Sequence, residues 1–200
     1  MKIFEYGQKE IGHLTKKDKR LGKLIERMGF LEREITPCLF EALVTSIVHQ
    51  QISGKAAETV YNRLVNLTGE ITPDNIIRLA DSEIQQCGMS MKKAGYIQSA
   101  AEAVLSKMLD LDAFKEMKDG EIIKQLSSLP GIGVWTAGML LLFSLERPDI
   151  LSYNDFGIKK GMMKLYDLAE ITKKEFEKYR KRYSPYGSVA SLYLWELASE

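Results

Sequence analysis

The chain has 200 residues, 45% of them hydrophobic, and 28 Lys and Arg against 27 Asp and Glu. Such a composition supports a packed core and argues against disorder, and the near-neutral balance argues against an extended cationic coat on nucleic acid. The longest apolar runs, such as Met139 to Leu142, are too short to span a bilayer, and the opening Met1-Lys2-Ile3-Phe4-Glu5-Tyr6 has no apolar signal region followed by a small-residue cleavage site. The expectation is a soluble intracellular protein with no membrane partner. Cys38 and Cys87 stand alone, without CxxC or Cys/His spacing. Four-cysteine iron–sulfur and zinc sites are thereby excluded, and a disulfide framework is not expected.

Helical patterns dominate in chain order. Residues 1–6 are the one stretch that reads as a strand. Leu21, Leu24, Ile25 and Met28 give helical spacing over Lys17–Met28. Thr36-Pro37 opens the next helix, with Thr as cap and Pro in the first turn, running through Leu39, Leu43, Ile47 and Val48 to about Gln51. Ser53 caps a helix through Ala56, Val60, Leu64 and Leu67, stopped by Gly69. Thr72-Pro73-Asp74 caps a short helix and Asp81 another. Ser90 opens a long one with Ala94, Ile97, Ala101, Val104, Leu105 and Met108 on its apolar positions. Asp119 begins a helix ending at Leu129, and Val134 begins one reaching about Leu145. The last helices cover about 155–165, 172–183 and 187–199. The connections are short, so no flexible linker is expected. The reading is an all-α fold of about ten helices, and two lobes around a cleft, with the chain start and end packed together, are compatible with it. One lobe spans about 36–115, and the other joins 1–35 to 116–200.

Leu129-Pro130-Gly131-Ile132-Gly133-Val134-Trp135-Thr136-Ala137-Gly138 is the most informative segment. Two glycines flank one apolar residue, so the backbone turns sharply and can approach another molecule closely. The first amides of the following helix have no partner inside it, and such an end holds an anion, here a nucleic-acid phosphate. Gly-rich turns between helices are common, but Pro130 stops one predicted helix and Gly133 precedes another. That context fits a helix–hairpin–helix gripping a DNA backbone without reading its sequence. Leu129 and Ile132 read as apolar staples between the helices. The carbonyls of Ser127, Leu129 and Ile132 are candidates for a monovalent cation, Na+ or K+, bridging to a phosphate.

Downstream lies Leu151-Ser152-Tyr153-Asn154-Asp155-Phe156-Gly157. The helix from Val134 is roughly 18 Å long, and an extended connection from Glu146 to Asn154 reaches about 30 Å. Asp155 can therefore return to the hairpin end. Asn154 or Asp155 also reads simply as a helix cap, and the two readings are compatible, because the helix dipole favours a negative charge there. Residues 159–182 carry nine Lys and Arg against Asp167, Glu170, Glu175 and Glu177. This is either a local basic face or a solvated surface with i,i+4 pairs.

The hairpin and the aspartate spaced behind it resemble the helix–hairpin–helix DNA glycosylase superfamily. Within it the chain is most similar to the 3-methyladenine (alkylpurine) glycosylases, in their compact form without an N-terminal β-domain. The resemblance extends to His49-Gln50-Gln51-Ile52-Ser53-Gly54-Lys55-Ala56-Ala57, Gly88-Met89-Ser90-Met91-Lys92-Lys93-Ala94, Tyr183-Ser184-Pro185-Tyr186 and Tyr193-Leu194-Trp195, and spans about residues 36–198. It implies a monofunctional enzyme that flips an alkylated purine such as 3-methyladenine out of double-stranded DNA and hydrolyses its bond to deoxyribose, starting base-excision repair. No cofactor is required.

The resemblance makes Asp155 the catalytic carboxylate. It puts Trp135 where bifunctional members carry a lysine nucleophile, so no Schiff base or strand cleavage is expected. It lines the base pocket with Trp135, Trp195, Tyr153, Tyr186 and Met139; the electron-rich rings of the four aromatics suit a cationic base, and read alone each of those four is a core residue. Gln51 becomes the wedge filling the gap left by the flipped base, with Gln50 and Ser53 beside it. Gly131, Gly133 and Thr136 grip phosphate, and Lys93 contacts the backbone, with Lys159 and Lys160 as further candidates. His49 reads as a surface or capping histidine. Gly187 stands where many relatives have arginine, and Met139 where some have a pocket tyrosine. Other readings remain: a non-catalytic damage-binding module, or a glycosylase for hypoxanthine, ethenoadenine or uracil. The protein is expected to be a monomer, located with the genome: nucleoid-associated in a prokaryotic cytoplasm, or nuclear in a eukaryote.

Overall fold

A computed structural model describes residues 2–200. Among these are twelve α-helices, one 3-10 turn and two short strands, so the helical expectation holds. The chain divides into two compact units. One joins Met1–Ile35 to Leu141–Glu200, and the other is Thr36–Leu140. The sequence reading places the hairpin with the termini; the division places it with the central helices. The reason is tertiary: the ring of Tyr96 lies against Gly131, and Gln50 is hydrogen-bonded to the same residue.

In the first unit, β1 (Lys2–Ile3) pairs antiparallel with β2 (Glu34–Ile35), Lys2 opposite Ile35. β2 has no counterpart in the sequence reading. Helix α1 (Gln8–Lys17) has no counterpart there either, because it buries only Leu14 and therefore shows little apolar periodicity. The helix expected over Lys17–Met28 is α2 (Lys19–Met28), whose start is set by Asp18 accepting from the Arg20 and Leu21 amides. The same carboxylate takes a hydrogen bond from Tyr166 and a 2.6 Å ion pair from Arg182. Burial alone pushes the Asp18 carboxyl up. The hydrogen bonds from Tyr166, Leu21 and Arg182, with the guanidinium charge, outweigh it and hold the carboxyl below the usual range.

A depressed folded-state pKa contributes stability that is present above the unfolded value and lost as pH falls through the folded one. Wild type therefore loses this contribution only in acid, below the ordinary aspartate range. Asp18→Ala leaves Arg182 and Tyr166 without their acceptor and removes a helix cap, at a cost of roughly 3 kcal/mol. In thermal melts this is a lowered Tm at pH 7, with the gap to wild type narrowing in strong acid.

In the second unit, α3 (Leu39–His49) begins two residues later than Thr36-Pro37 suggests, with Cys38 as its cap residue. Ser53, Thr72 and Ser90 cap α4 (Gly54–Thr68), α5 (Pro73–Ile77) and α7 (Met91–Leu105) through their side-chain oxygens, as the sequence implies. The helix expected at Asp81 is α6 (Asp81–Gln86); its cap residue is Ala80, whose amide is bonded by Glu83. Leu43, Val44, Ile47 and Val48 of α3 and Ala94, Ile97, Ala100 and Ala101 of α7 are buried in the core. Helix α8 (Asp119–Leu126) ends three residues before Leu129. Helix α9 (Val134–Phe143) starts in this unit and finishes in the first.

The first unit is completed by α10 (Phe156–Tyr166), α11 (Lys173–Tyr183) and α12 (Gly187–Ser199). Helix α12 is its centre, with Val189, Ala190, Leu192, Tyr193 and Leu194 buried. Lys160 and Lys164 of α10 donate to the carbonyls of Ala198 and Leu197, placing cations at the negative end of α12. No helix among the described residues is long and apolar enough to cross a membrane.

Candidate functional site

The hairpin is built in the second unit. The amide of Ile132 donates to the Leu129 carbonyl at 3.2 Å, and the Ala137 amide to Gly133 at 2.9 Å, which opens α9. Gly131 has φ +82°, and a Cβ there would lie 2.3 Å from the Tyr96 ring. Both the left-handed backbone and the close approach require glycine. Gly133 has nothing within 4 Å of its Cβ position and leaves the mouth of the hairpin open. Ile132 is buried, and Leu129 is half-buried. Trp135 is 47% exposed, so it is not a core aromatic. Thr136 and Met139 are half-buried on α9.

The glutamine segment lies in the same unit. Gln50 donates to the Gly131 carbonyl at 2.8 Å, tying the end of α3 to the hairpin. Gln51 is exposed and has φ +57°, a conformation uncommon for a residue with a Cβ. Ser53 caps α4, and its side chain faces the Ala56 amide. Lys93, expected at the DNA backbone, has partners within the protein. Its ammonium donates to the carbonyls of Val48 and Gln50, capping the C-terminus of α3, and burial pushes its pKa down. It supports the glutamine loop from behind. His49 is exposed.

The carboxylate is built in the first unit. Asp155 is only 4% exposed and sits at the N-terminus of α10, after a turn in which its amide donates to the Ser152 carbonyl. Its Oδ1 accepts from the Ile158 amide at 2.8 Å and from Trp195 Nε1 at 2.9 Å. Two donors on one oxygen fix the plane of the carboxylate. Trp195 is itself held by stacking on Phe143, with ring centroids 5.8 Å apart. Gly157 makes the arrangement possible, since a Cβ there would lie 2.8 Å from Trp195 Cδ1 and 3.3 Å from Asp155 Oδ1.

The other expected pocket aromatics have neighbours within the protein. Tyr153 packs edge-on against Phe176, and Lys159 lies 4.9 Å above its ring. Tyr186 stands edge-on to His13. Gly187 has a local cause. Asp149 accepts from its amide at 3.0 Å and from Ser184 Oγ at 2.6 Å, and a Cβ would meet Asp149 Oδ1 at 2.7 Å. The sequence reading missed Phe156, the first residue of α10, which is 75% exposed immediately beside the buried Asp155. An aromatic at a helix start, where no apolar stripe calls for it, was the available signal.

A hydrogen bond to a charged group contributes about 1.5–3 kcal/mol. Trp195→Phe removes the Nε1 donor and keeps most of the stacking on Phe143. For the base release that the sequence resemblance implies, the expected result is a kcat lowered about tenfold or more, with KM nearly unchanged. An equal rise in KM would make Trp195 a substrate-binding residue rather than one that positions Asp155.

No group of three or more His, Cys, Asp or Glu among the described residues can hold a metal ion. The family model for the HhH-GPD superfamily of base excision DNA repair proteins matches residues 44–185. The DNA-3-methyladenine glycosylase 1 of Schizosaccharomyces pombe is 33% identical over 162 residues, covering 78% of this chain and 71% of that protein. The DNA-3-methyladenine glycosylase of Saccharomyces cerevisiae is 32% identical, covering 94% and 78%. Among solved structures, a DNA-3-methyladenine glycosidase from Bacillus halodurans superposes with a TM-score of 0.89 at 37% identity, over 99% of this chain and 93% of that one. The S. pombe 3-methyladenine DNA glycosylase bound to abasic DNA superposes with a TM-score of 0.81 at 29% identity, over 94% and 96%. With most of its length matched by the family model and a fold shared almost end to end with these enzymes, the chain belongs to the HhH-GPD superfamily of base excision DNA repair proteins.

Proposed function

We propose that this protein is a monofunctional DNA glycosylase that hydrolyses the bond between deoxyribose and an alkylated purine such as 3-methyladenine. The observation that carries the reading is Asp155: a buried carboxylate at a helix N-terminus, oriented by an indole N–H. A protein that only binds DNA has use for the helix cap but no need of a negative charge facing the sugar. As the C1′–N bond breaks, its electron pair leaves with the base and positive charge develops on the sugar. A fixed carboxylate stabilises that charge. Water then adds at C1′, and its proton passes to the carboxylate or to solvent. An N-alkylated purine is already cationic and departs without a general acid.

The target base must leave the stack to reach such a group. The exposed Gln51 is the wedge in this reading, and the hairpin amides hold the phosphates. Trp135 supplies no amine, so no covalent sugar intermediate forms there. The carbonyls of Ser127, Leu129 and Ile132 are oxygen donors suited to Na+ or K+. The Leu129 carbonyl already accepts from Ile132, and its second lone pair serves a cation. That ion, when bound, would add a positive charge beside a phosphate.

Methylated duplex DNA tests the reading. The expected products are free 3-methyladenine and abasic sites, with strand breaks only after heat or alkali. Absence of any released base sinks the proposal, and direct nicking sinks its monofunctional part.

A further inference from the structure

We propose that the solvent ridge of α11, formed by Lys174, Lys178 and Lys181, is a second DNA-backbone contact, separate from the hairpin. The inference rests on the reading of this protein as one that acts on DNA. Residues 159–182 hold nine Lys and Arg against four acids, so the rest of the chain, with nineteen cations and twenty-three acids, is net acidic. A protein that binds duplex DNA draws much of its affinity from lysines and arginines that displace counterions, and this segment concentrates them.

Most of its cations are already engaged. Lys160 and Lys164 hold the end of α12, and Lys159 lies over Tyr153. Arg180 pairs with Glu177 and Arg182 with Asp18. The acids are drawn off as well, since Glu175 folds back onto Thr172. Lys173, in the first turn, and Lys174, Lys178 and Lys181 remain, all exposed; the last three form the ridge. At i, i+4 and i+7 they share one face of the helix, opposite the buried Phe176 and Tyr183. Glu177 borders this face at i+3 from Lys174, but its carboxylate is taken by Arg180, and Glu175, one turn before Lys178, is bonded to Thr172, so the ridge keeps a net positive charge. The ridge is about 10 Å long, a length over which one DNA strand presents about three phosphates. Phe176 packs on Tyr153, two residues before Asp155, so the ridge lies on the far side of α11 from that tyrosine. Its contact is therefore to phosphates away from the nucleotide being processed.

The test is fluorescence anisotropy of a short undamaged duplex over a salt series. It compares wild type, the triple variant Lys174→Gln/Lys178→Gln/Lys181→Gln and a control, Lys16→Gln/Lys17→Gln/Lys23→Gln. The control removes the same charge from exposed positions of α1 and α2. The ridge variant is expected to lose about tenfold or more in affinity at low salt, and to shallow the slope of log K against log salt by about 2–3. The control should keep the wild-type slope. An unchanged slope in the ridge variant overturns the proposal, as does an equal loss in the control. Base release by wild type is scored separately. Release with an unchanged ridge slope rejects the ridge alone; a lost slope without base release rejects the glycosylase reading and keeps the contact.

Discussion

Asp155→Asn is expected to abolish excision of a poorly departing base while leaving the fold intact. Asparagine keeps an oxygen that can accept from Ile158 and Trp195, the two donors now on Oδ1, and it serves almost as well as aspartate at a helix N-cap. Thermal stability should therefore change by under about 1 kcal/mol. What the substitution removes is the negative charge facing the developing oxocarbenium. Loss of one preorganised electrostatic partner of a transition state typically costs about 3–4 kcal/mol, or a factor of about 100 to 1,000 in rate. The loss should be largest for hypoxanthine, a neutral leaving group, and smaller for cationic 3-methyladenine, which departs with less help. Single-turnover release of both bases, alongside a thermal melt, separates the outcomes. Full activity on hypoxanthine would show that the carboxylate is only a cap.

Legibility in the sequence follows the range of the interaction that decides each feature. Ser53, Thr72, Ser90 and Thr172 were readable as helix starts because each hydroxyl accepts from an amide three residues on. The fold class came from the same short-range patterns. Helix α1 was hidden because it buries only Leu14, and β2 because a strand of two residues has no alternation to read. In the site, the hairpin and Asp155 were legible from local turns and their resemblance to a family. The support around them was not. Tyr96 against Gly131, Lys93 on the carbonyls of Val48 and Gln50, and Trp195 on Asp155 all join segments far apart in the chain. The structural role of Lys93 is hidden from the sequence for that reason. A lysine at a helix start reads as solvated or DNA-facing until the carbonyls it caps are known. Gly187 read as a lost arginine, whereas its cause is Asp149, which bonds its amide and fills the space a Cβ would need.

The largest effect on stability is expected from Gly161→Ala, although the residue touches no proposed substrate. Gly161 is buried on α10, and a Cβ there would lie 2.1 Å from the Leu194 carbonyl oxygen and 2.8 Å from its carbonyl carbon. Both are backbone atoms of α12, so no side-chain rotation relieves the overlap. The helices must move apart, against packing that is as dense as an organic crystal. Overpacking of this kind costs typically 1–3 kcal/mol and more where backbone must shift, so about 3 kcal/mol or more is expected, set against the small gain in helix propensity from Gly to Ala of about 1 kcal/mol. The displacement also reaches the site. Gly157 lies one turn earlier on the same helix, and there Trp195 of α12 crosses to bond Asp155. Separating α10 from α12 lengthens that bond and frees the carboxylate to rotate. Gly161→Ala should therefore lower Tm and, at temperatures where it remains folded, lower kcat for base release as Trp195→Phe does. A variant with lowered Tm but wild-type kcat would show that the α10–α12 contact stabilises the unit without setting the geometry of Asp155.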